Sequence, residues 1–204
     1  MVVWKIYCIF ANDMSKNLYI ISGCNGAGKT TASYTVLPEI LDCREFVNAD
    51  EIARGLSPFN PESMAIEAGR LMLKRIEELL SKEETFSIET TLATKSYINL
   101  VRRAQSKGYT VRLLFFWLNS PELALQRVAE RVAKGGHNIP EPIIRRRYVL
   151  GISNLFDLFM KEVDYWTIYD NSTYPAIQIA SGGRKEEETI LKESTFKQIA
   201  DYVK

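Results

Sequence analysis

One short loop near the amino terminus combines residue types that suit phosphate binding. Residues 23–30, which follow the apolar run 18–22, fit the pattern G-x-x-x-x-G-K-[ST] at every fixed position. Glycines let successive backbone N–H groups point at phosphate oxygens, the lysine adds positive charge, and the hydroxyl is suited to Mg²⁺. A glycine-rich turn that matches by chance is the alternative, but a strand before the loop and a helix after it favour a nucleotide site.

The residues predicted to bind the nucleotide are Gly23, Cys24, Asn25, Gly26, Ala27, Gly28, Lys29, Thr30 and Thr31. Within this set, Lys29 is also a predicted catalytic residue and Thr30 is the predicted metal ligand.

Acidic and polar side chains follow two further predicted strands. Asp50 comes just after the strand 45–48, and Glu89, Thr90 and Thr91 end the strand 85–91. Open α/β sheets bind ligands at the carboxyl ends of their strands, and an unpaired buried carboxylate costs several kcal/mol. We therefore expect water or a ligand to meet these groups. Asp50 could instead cap the short segment 51–55, and the strand end could simply be exposed.

An arginine-rich pair of predicted helices follows, and we interpret it as a lid of about residues 127–147. Arg127 and Arg131 lie on the first helix, residues 145–147 are all arginine, and His137 lies in the connecting loop. Arginines neutralise charge during phosphoryl transfer, and lid closure excludes water. We expect one or two of the five arginines to neutralise charge in this way, and we expect the others to lie on solvated helix faces. His137 either contacts a substrate or anchors the loop.

The elements that must position these residues alternate along the chain. Predicted strands are 18–22, 45–48, 85–91, 109–118 and 165–169, followed by a hairpin of 176–180 and 189–191. Predicted helices include 29–37, limited or kinked by Pro38, then 60–81, 94–107 and 195–203, with the two lid helices between them. Because 109–118 is apolar almost throughout, it fits the centre of a parallel sheet. The pattern predicts an α/β fold.

Composition is that of an ordinary soluble protein, with 204 residues, 46% hydrophobic residues and a formal net charge of +1. A chain of this length is most simply one domain. The near-zero charge gives no global basic field, so nucleic acid is an unlikely partner and a small molecule is the better default.

The cysteines and the lengths of the apolar stretches predict the cellular location. Cys8, Cys24 and Cys43 are odd in number and scattered, which favours a reducing compartment. No stretch is long enough to span a bilayer, so we expect a cytoplasmic protein without a membrane partner. Residues 1–17 are interpreted as an amino-terminal extension or extra strand, and 18–204 as the single domain.

Taken in order, these residues resemble the zeta toxin family of P-loop kinases. The resemblance runs from residue 18 to about residue 172. It rests on the phosphate loop, Asn48-Ala49-Asp50, Ile88-Glu89-Thr90-Thr91, Glu130-Arg131-Val132, Gly135-Gly136-His137 and Arg147-Tyr148. The residues 135–138 and the plain Thr90 are similar to the small single-domain branch of the family.

The resemblance implies a P-loop kinase fold with a central, mainly parallel sheet flanked by helices. It also implies a reaction, since the best-known members phosphorylate the 3′-hydroxyl of the sugar in UDP-N-acetylglucosamine and so block cell-wall synthesis. By the same resemblance Asp50 is the base for the acceptor hydroxyl and Asn171 lies near the adenine. Arg131 and one of Arg145 or Arg147 approach the transferred phosphate, and the predicted substrate-binding residues are Glu89, Thr91, His137, Arg145 and Arg147.

We therefore expect an ATP- and Mg²⁺-dependent kinase that acts on a hydroxyl of a nucleotide sugar or a related small metabolite. An antitoxin is a candidate protein partner. A nucleotide-dependent switch that acts through a partner is the alternative from another class. Kinases of an ADP-ribose-type metabolite or of a polynucleotide 5′-hydroxyl are further alternatives, although the polynucleotide reaction calls for a basic groove that a net charge of +1 does not support.

Overall fold

The computed structural model describes residues 16–136 and 138–203, without the side chain of Ile40. Two predictions, the extension at the amino terminus and the role of His137, thus fall wholly or largely outside the described residues. The first strand begins at Asn17, one residue before the predicted domain boundary.

A seven-stranded sheet forms the centre of the molecule. Its strands are β1 Asn17–Gly23, β2 Glu45–Val47, β3 Phe86–Thr90, β4 Thr110–Trp117, β5 Tyr165–Asp170, β6 Ile177–Gly183 and β7 Glu186–Ile190, in the spatial order β2-β3-β1-β4-β5-β6-β7. Strands β1 to β5 pair in parallel, and β6 and β7 extend the sheet antiparallel as the predicted hairpin. The prediction of a central, mainly parallel sheet is confirmed.

Helices connect and cover these strands. They are α1 Lys29–Ile40, α2 Ala49–Leu56, α3 Ala65–Lys82, α4 Tyr97–Ser106, α5 Pro121–Ala133, α6 Glu141–Asn154 and α7 Glu193–Ala200. A 3₁₀ turn, Pro61–Met64, leads into α3, and another, Asp201–Val203, follows α7. Helix α6 continues through a π-helical stretch, Leu155–Phe159, into a last turn, Met160–Glu162.

Two predicted helix boundaries are wrong for local reasons. Helix α1 passes through Pro38 and ends at Ile40 rather than at residue 37. A proline this close to the end removes only one helical hydrogen bond, and the Leu41 N–H closes the last turn on the Val36 carbonyl at 3.1 Å. The helix predicted from residue 60 is α-helical only from Ala65, because its start forms the tighter 3₁₀ turn that is common at helix termini.

Apolar side chains fill the space between sheet and helices as the patterns predict. All eight residues of β4, the middle strand, are buried. Helix α3 faces the core through its buried residues Ala68, Met72, Ile76, Leu79 and Leu80. Among the described residues, no helix is both long and apolar enough to cross a membrane.

Strand order determines where the polar residues meet. β1 lies between β3 and β4. The chain leaves β1 for β2 on one side, and it later crosses from β3 to β4 on the other side of β1. In an open α/β sheet, ligands bind in the crevice at the carboxyl ends of the strands at such a switch point. The loops that follow β1, β2 and β3 therefore converge at one edge of the sheet.

Candidate active site

The loop between β1 and α1 has a backbone that only glycine allows at critical points. Gly23 has φ 137°, and a Cβ there would lie 2.2 Å from the Phe116 carbonyl oxygen of β4. Gly28 has φ 79°, and its Cβ would lie 2.7 Å from the Asn171 amide nitrogen. Both residues are strained positions for any L side chain. The glycines are thus required by the packing of this loop against β4 and against the end of β5.

Lys29 is the first residue of α1, as predicted, and its side chain folds back into the loop. Its Nζ donates a hydrogen bond of 2.9 Å to the Cys24 carbonyl and lies 3.7 Å from Glu89 Oε1. The residue is only 6% exposed. This brings a positive charge to the amino terminus of a helix, where backbone N–H groups already favour an anion.

Glu89, at the end of β3, joins three elements. Its Oε2 accepts hydrogen bonds from Thr30 Oγ1 at 2.8 Å and from Asn48 Nδ2 at 3.0 Å. Burial raises the pKa of Glu89, and the charge of Lys29 and the hydrogen bond from Thr30 oppose that increase. The carboxylate predicted for the acceptor pocket therefore also contacts the predicted metal ligand.

The alternative role of Asp50 as a helix cap is wrong. The cap of α2 is Asn48, whose side-chain oxygen accepts a hydrogen bond of 2.8 Å from the Asp50 N–H. Asp50 lies in the first turn of α2, and its exposed carboxylate is near enough to Glu89 and Arg147 to affect the pKa of each. Asn48 thus fixes the start of α2 and leaves the Asp50 side chain available.

These side chains line one small cavity, which we call the inner cleft. Its volume is about 190 Å³, and the residues around it include Lys29, Asp50, Glu89, Thr91 and Arg147. Five of the predicted site residues, from four separate segments of the chain, are thereby brought together. Asn25 of the phosphate loop also lines the inner cleft.

The two candidate arginines of α6 have different environments. Arg147 Nη1 donates to Asn25 Oδ1 at 3.4 Å, and burial lowers the pKa of its guanidinium while Asp50 opposes that change. Arg145 instead forms ion pairs with Glu122 at 2.7 Å and Glu141 at 2.8 Å on the outside of the helix. Arg145, predicted to bind substrate, therefore lies outside the inner cleft, because its helix turns this side chain towards α5.

A second, wider cavity, the outer cleft, has a volume of about 630 Å³ and a cationic lining. Arg127, Arg131 and Lys134 of the α5 end and Arg54 of α2 contribute to it, together with Glu130. The predicted catalytic residue Arg131 thus lines this cavity rather than the inner cleft.

Arg127 and Asn171 link α5, the end of β5 and the phosphate loop. Arg127 donates to the carbonyls of Asn171 at 2.8 Å and Ser172 at 2.9 Å. Asn171 Nδ2 in turn donates to the Ala27 carbonyl at 2.8 Å. Asn171, predicted to lie near the nucleotide, therefore contacts the loop that would hold the phosphates.

The chain matches a known protein family over most of its length. The family model described as zeta toxin matches residues 7–174. The chain belongs to the zeta toxin family. It is 30% identical over 135 residues to an uncharacterised protein of Haemophilus influenzae, a match that covers 66% of this chain and 94% of that protein.

Solved structures share the fold of this zeta toxin family member. A chain in the crystal structure of AvrRxo1-ORF1:AvrRxo1-ORF2 with sulphate ions matches with a TM-score of 0.74 and 17% identity, covering 97% of this chain and 69% of that one. The same pair crystallised with ATP gives a TM-score of 0.71. A structure from the PezAT toxin–antitoxin system of Streptococcus pneumoniae gives 0.65 at 16% identity, covering 100% and 95%. The predicted P-loop kinase fold is confirmed.

Two residues of the site were not among the predicted ones for this family. Asn48 was noted only as part of the segment before Asp50, although an amide two residues before an acid at a strand end is a typical helix cap. Arg127 was counted as a lid arginine, and its spacing of four from Arg131 was the available signal that both share a helix face.

Two cysteines, Cys24 and Cys43, lie among the described residues. Cys24 and Cys43 are free and buried, and burial raises the pKa of each thiol to about 11. No group of three or more His, Cys, Asp or Glu side chains suited to a metal ion occurs within residues 16–136 and 138–203.

Proposed function

We propose that this protein is a kinase that transfers the γ-phosphoryl group of ATP to a hydroxyl of a small metabolite. The observation that carries the proposal is the inner cleft, in which a phosphate-binding lysine and an exposed aspartate line one cavity. A nucleotide-dependent phosphotransferase needs both a donor site and an acceptor site within contact distance.

The donor half of the site is the phosphate loop with Lys29 and the amino terminus of α1. Loop N–H groups and Lys29 would bind the phosphates, and Asn171 would border the adenine. The structure of a relative crystallised with ATP supports this choice of nucleotide.

Magnesium is the metal that these residues fit. The Thr30 hydroxyl and the Glu89 carboxylate are hard oxygen donors 2.8 Å apart, and Mg²⁺ is usually held by one or two such groups together with phosphate oxygens and water. When bound, the ion would neutralise charge on the phosphates. Glu89 then has a part in holding the metal as well as in lining the acceptor side.

Asp50 is the proposed general base. Its carboxylate would orient the acceptor hydroxyl and take its proton as the hydroxyl oxygen forms a bond to the γ-phosphorus. The bond between that phosphorus and the β–γ bridging oxygen then breaks, and ADP leaves. Arg147 from the inner cleft and Arg131 from the outer cleft would stabilise the charge on the transferred group.

Membership of the zeta toxin family supports a nucleotide sugar such as UDP-N-acetylglucosamine as the acceptor, with phosphorylation at the 3′-hydroxyl of the sugar. Residues 18–204 would form one kinase domain, with a lid of about residues 127–147 that includes His137. The toxin–antitoxin system to which a solved relative belongs supports an antitoxin as a protein partner.

A radiolabelled ATP screen tests the proposal. Acceptors would include UDP-N-acetylglucosamine, other UDP-sugars, ADP-ribose and oligonucleotides, each with and without Mg²⁺. We expect Mg²⁺-dependent transfer of label to a UDP-sugar by the native protein and none by the Lys29→Ala variant. Tight ATP binding without label transfer to any acceptor would contradict the kinase proposal and favour a nucleotide-dependent switch, whereas transfer to an oligonucleotide would overturn the small-metabolite acceptor.

A further inference from the structure

Helix α6 approaches the end of β3 unusually closely. A Cβ on Gly151 would lie 2.6 Å from the Thr91 carbonyl oxygen, and real Cβ atoms do not come this close to a backbone oxygen. The helix can pack here only because residue 151 has no side chain. Thr91 itself lines the inner cleft. The position of this cleft wall is therefore set by direct backbone contact with α6.

Asn154, one turn further along α6, binds Leu92, the residue that follows Thr91. The Asn154 side chain is buried, with 2% exposure for the residue, and its Nδ2 donates to the Leu92 carbonyl at 2.8 Å. Leu92 has φ 60°, and the left-handed conformation costs a residue other than glycine about 1–2 kcal/mol. The Thr90 hydroxyl holds the same turn by accepting a hydrogen bond of 3.1 Å from the Leu92 N–H. Asn154 thus stabilises a turn that the chain would not adopt by itself.

Arg147 lies on the same face of α6. The spacings from Arg147 to Gly151 and from Gly151 to Asn154 are four and three residues, so the three residues form one stripe along the helix. The stripe is about 10 Å long at 1.5 Å per residue. Its first member reaches Asn25 in the phosphate loop, and its last members hold the turn 90–92.

The helix is also fixed between these contacts. Tyr148 is fully buried, and its hydroxyl donates a hydrogen bond of 2.6 Å to the Leu118 carbonyl just after β4. Arg147 thus lies one residue before an anchored residue of the helix and one turn before Gly151, so a displacement of α6 at Gly151 or Asn154 would change the position of Arg147.

We propose that Gly151 and Asn154 are positioning residues that fix Thr91 and Arg147 relative to each other across the inner cleft. They set how the acceptor binds without touching ATP. This inference rests on the proposed function, because it assigns the Thr91 side of the cleft to the acceptor.

Two variants, with a third as a control, test the inference. Gly151→Ala forces the wall at residue 91 to move, and Asn154→Ala removes the amide that holds Leu92. Gly69→Ala is the matched control, because Gly69 is also a helical glycine but a Cβ there has nothing within 4 Å. Measured quantities are the KM for UDP-N-acetylglucosamine, the Kd for a fluorescent ATP analogue and amide hydrogen exchange.

We expect Gly151→Ala and Asn154→Ala to raise the KM for the acceptor by about tenfold or more while the Kd for the ATP analogue changes by less than about twofold. Gly69→Ala should change neither value. An unchanged acceptor KM, or a parallel loss of ATP affinity, would overturn the inference, since the residues would then be neutral or generally structural.

Hydrogen exchange separates this inference from the proposed function. In both variants the amides of residues 90–95 should exchange faster, while those of residues 23–30 in the phosphate loop should keep their native rates. If the native protein phosphorylates none of the screened acceptors, the proposed function fails but this result still decides whether the turn is held by α6. Unchanged exchange at 90–95 would refute the positioning role.

Discussion

The polar residues that follow or end β2 and β3 have different contacts. They are Asn48, Asp50 and Glu89. Asn48 uses its oxygen to cap α2 and its amide to bind Glu89. Glu89 is occupied by Thr30 and Asn48, while the Asp50 carboxylate is exposed to the inner cleft. A base must reach its substrate, so Asp50 is the better candidate for proton transfer and Glu89 for holding the loop and metal.

Replacement of Asp50 by asparagine tests this division. We expect Asp50→Asn to lower kcat by about 10² or more, because a neutral amide cannot accept the hydroxyl proton, and to leave ATP affinity nearly intact. Steady-state kinetics and titration with a fluorescent ATP analogue measure both. Asp157→Asn is the control, since Asp157 is exposed and its carboxylate accepts a hydrogen bond of 2.9 Å from the Ser153 hydroxyl, away from the inner cleft. Near-normal turnover of Asp50→Asn would refute its role.

The pH dependence of activity tests Glu89. Burial raises the pKa of Glu89 above the ordinary value for a glutamate, so its carboxylate becomes protonated at a higher pH than usual. Protonated Glu89 binds Mg²⁺ poorly, so kcat/KM for Mg²⁺–ATP should be full above this raised pKa and fall as the pH drops through it.

The same raised pKa has the opposite sign for stability. The folded protein holds the Glu89 proton more tightly than the unfolded chain does, so this group favours folding most at acid pH. That contribution is lost as the pH rises through the folded pKa of Glu89.

Glu89→Gln removes the titrating carboxylate, so this variant should lower activity and remove the acid limb of the kcat/KM profile. An acid limb that persists in Glu89→Gln would assign it to another group.

The proposed donor and acceptor residues can be placed from the sequence, but the arginines cannot all be assigned. The motifs fix Lys29 and Asp50 by chain position, and strand ends bring them together. Arg145 and Arg147 are two residues apart on one helix and cannot both face the cleft. Which one does so depends on how α6 is rotated, and that is set by the buried Tyr148 and Gly151.

At the scale of elements, the link between α5 and the end of β5 supports the phosphate loop. Arg127 donates to two carbonyls of the segment 171–172, and Asn171 continues the contact to Ala27. Helix α5 thus contacts the phosphate loop through the segment that follows β5.

Removal of this link should weaken nucleotide binding. Hydrogen bonds of a charged donor contribute about 1.5–3 kcal/mol each, so we expect Arg127→Ala to raise the Kd for ATP by about tenfold or more. Titration with a fluorescent ATP analogue measures the change. Arg102→Ala is the control, because Arg102 is exposed on α4 and pairs with Glu162. Equal ATP affinities of Arg127→Ala and the native protein would exclude the support role.

One helix start follows directly from the sequence, whereas the end of α1 does not. Ser120 caps α5 as its sequence indicates, with its hydroxyl accepting a hydrogen bond from the Leu123 N–H at 3.2 Å. The end of α1 was missed because a proline in a last turn is tolerated where the chain can close the helix another way.

At the scale of the whole molecule, ligand binding should be visible as stability. A ligand that binds only the folded state stabilises it by about 2.7 kcal/mol at a concentration of 100 times Kd. For a protein of this size that corresponds to a rise in Tm of about 5–10 °C. We expect Mg²⁺–ATP to produce this shift by differential scanning fluorimetry, and Lys29→Ala to lose most of it. A native Tm that does not respond to Mg²⁺–ATP would contradict the nucleotide site.

The α/β class and the central position of β4 follow from the alternation of elements and the uninterrupted apolar run of that strand. The complete strand order does not follow from the sequence, because local patterns do not determine on which side of β1 each crossover connection places the next strand. The outer cleft could not be foreseen either, since Arg54 meets the α5 end only through that order.

The hydrogen bond from Asn171 to Ala27 also affects when the phosphate loop can fold during translation. Its two residues are 144 positions apart in the chain, and β1 pairs only with β3 and β4, which are made later. Contacts this distant in sequence cannot form until both segments have left the ribosome. A nascent chain that stops before residue 171 therefore has the whole phosphate-loop sequence without the contact that completes its fold. The phosphate loop can therefore reach its final structure only after most of the polypeptide has been made.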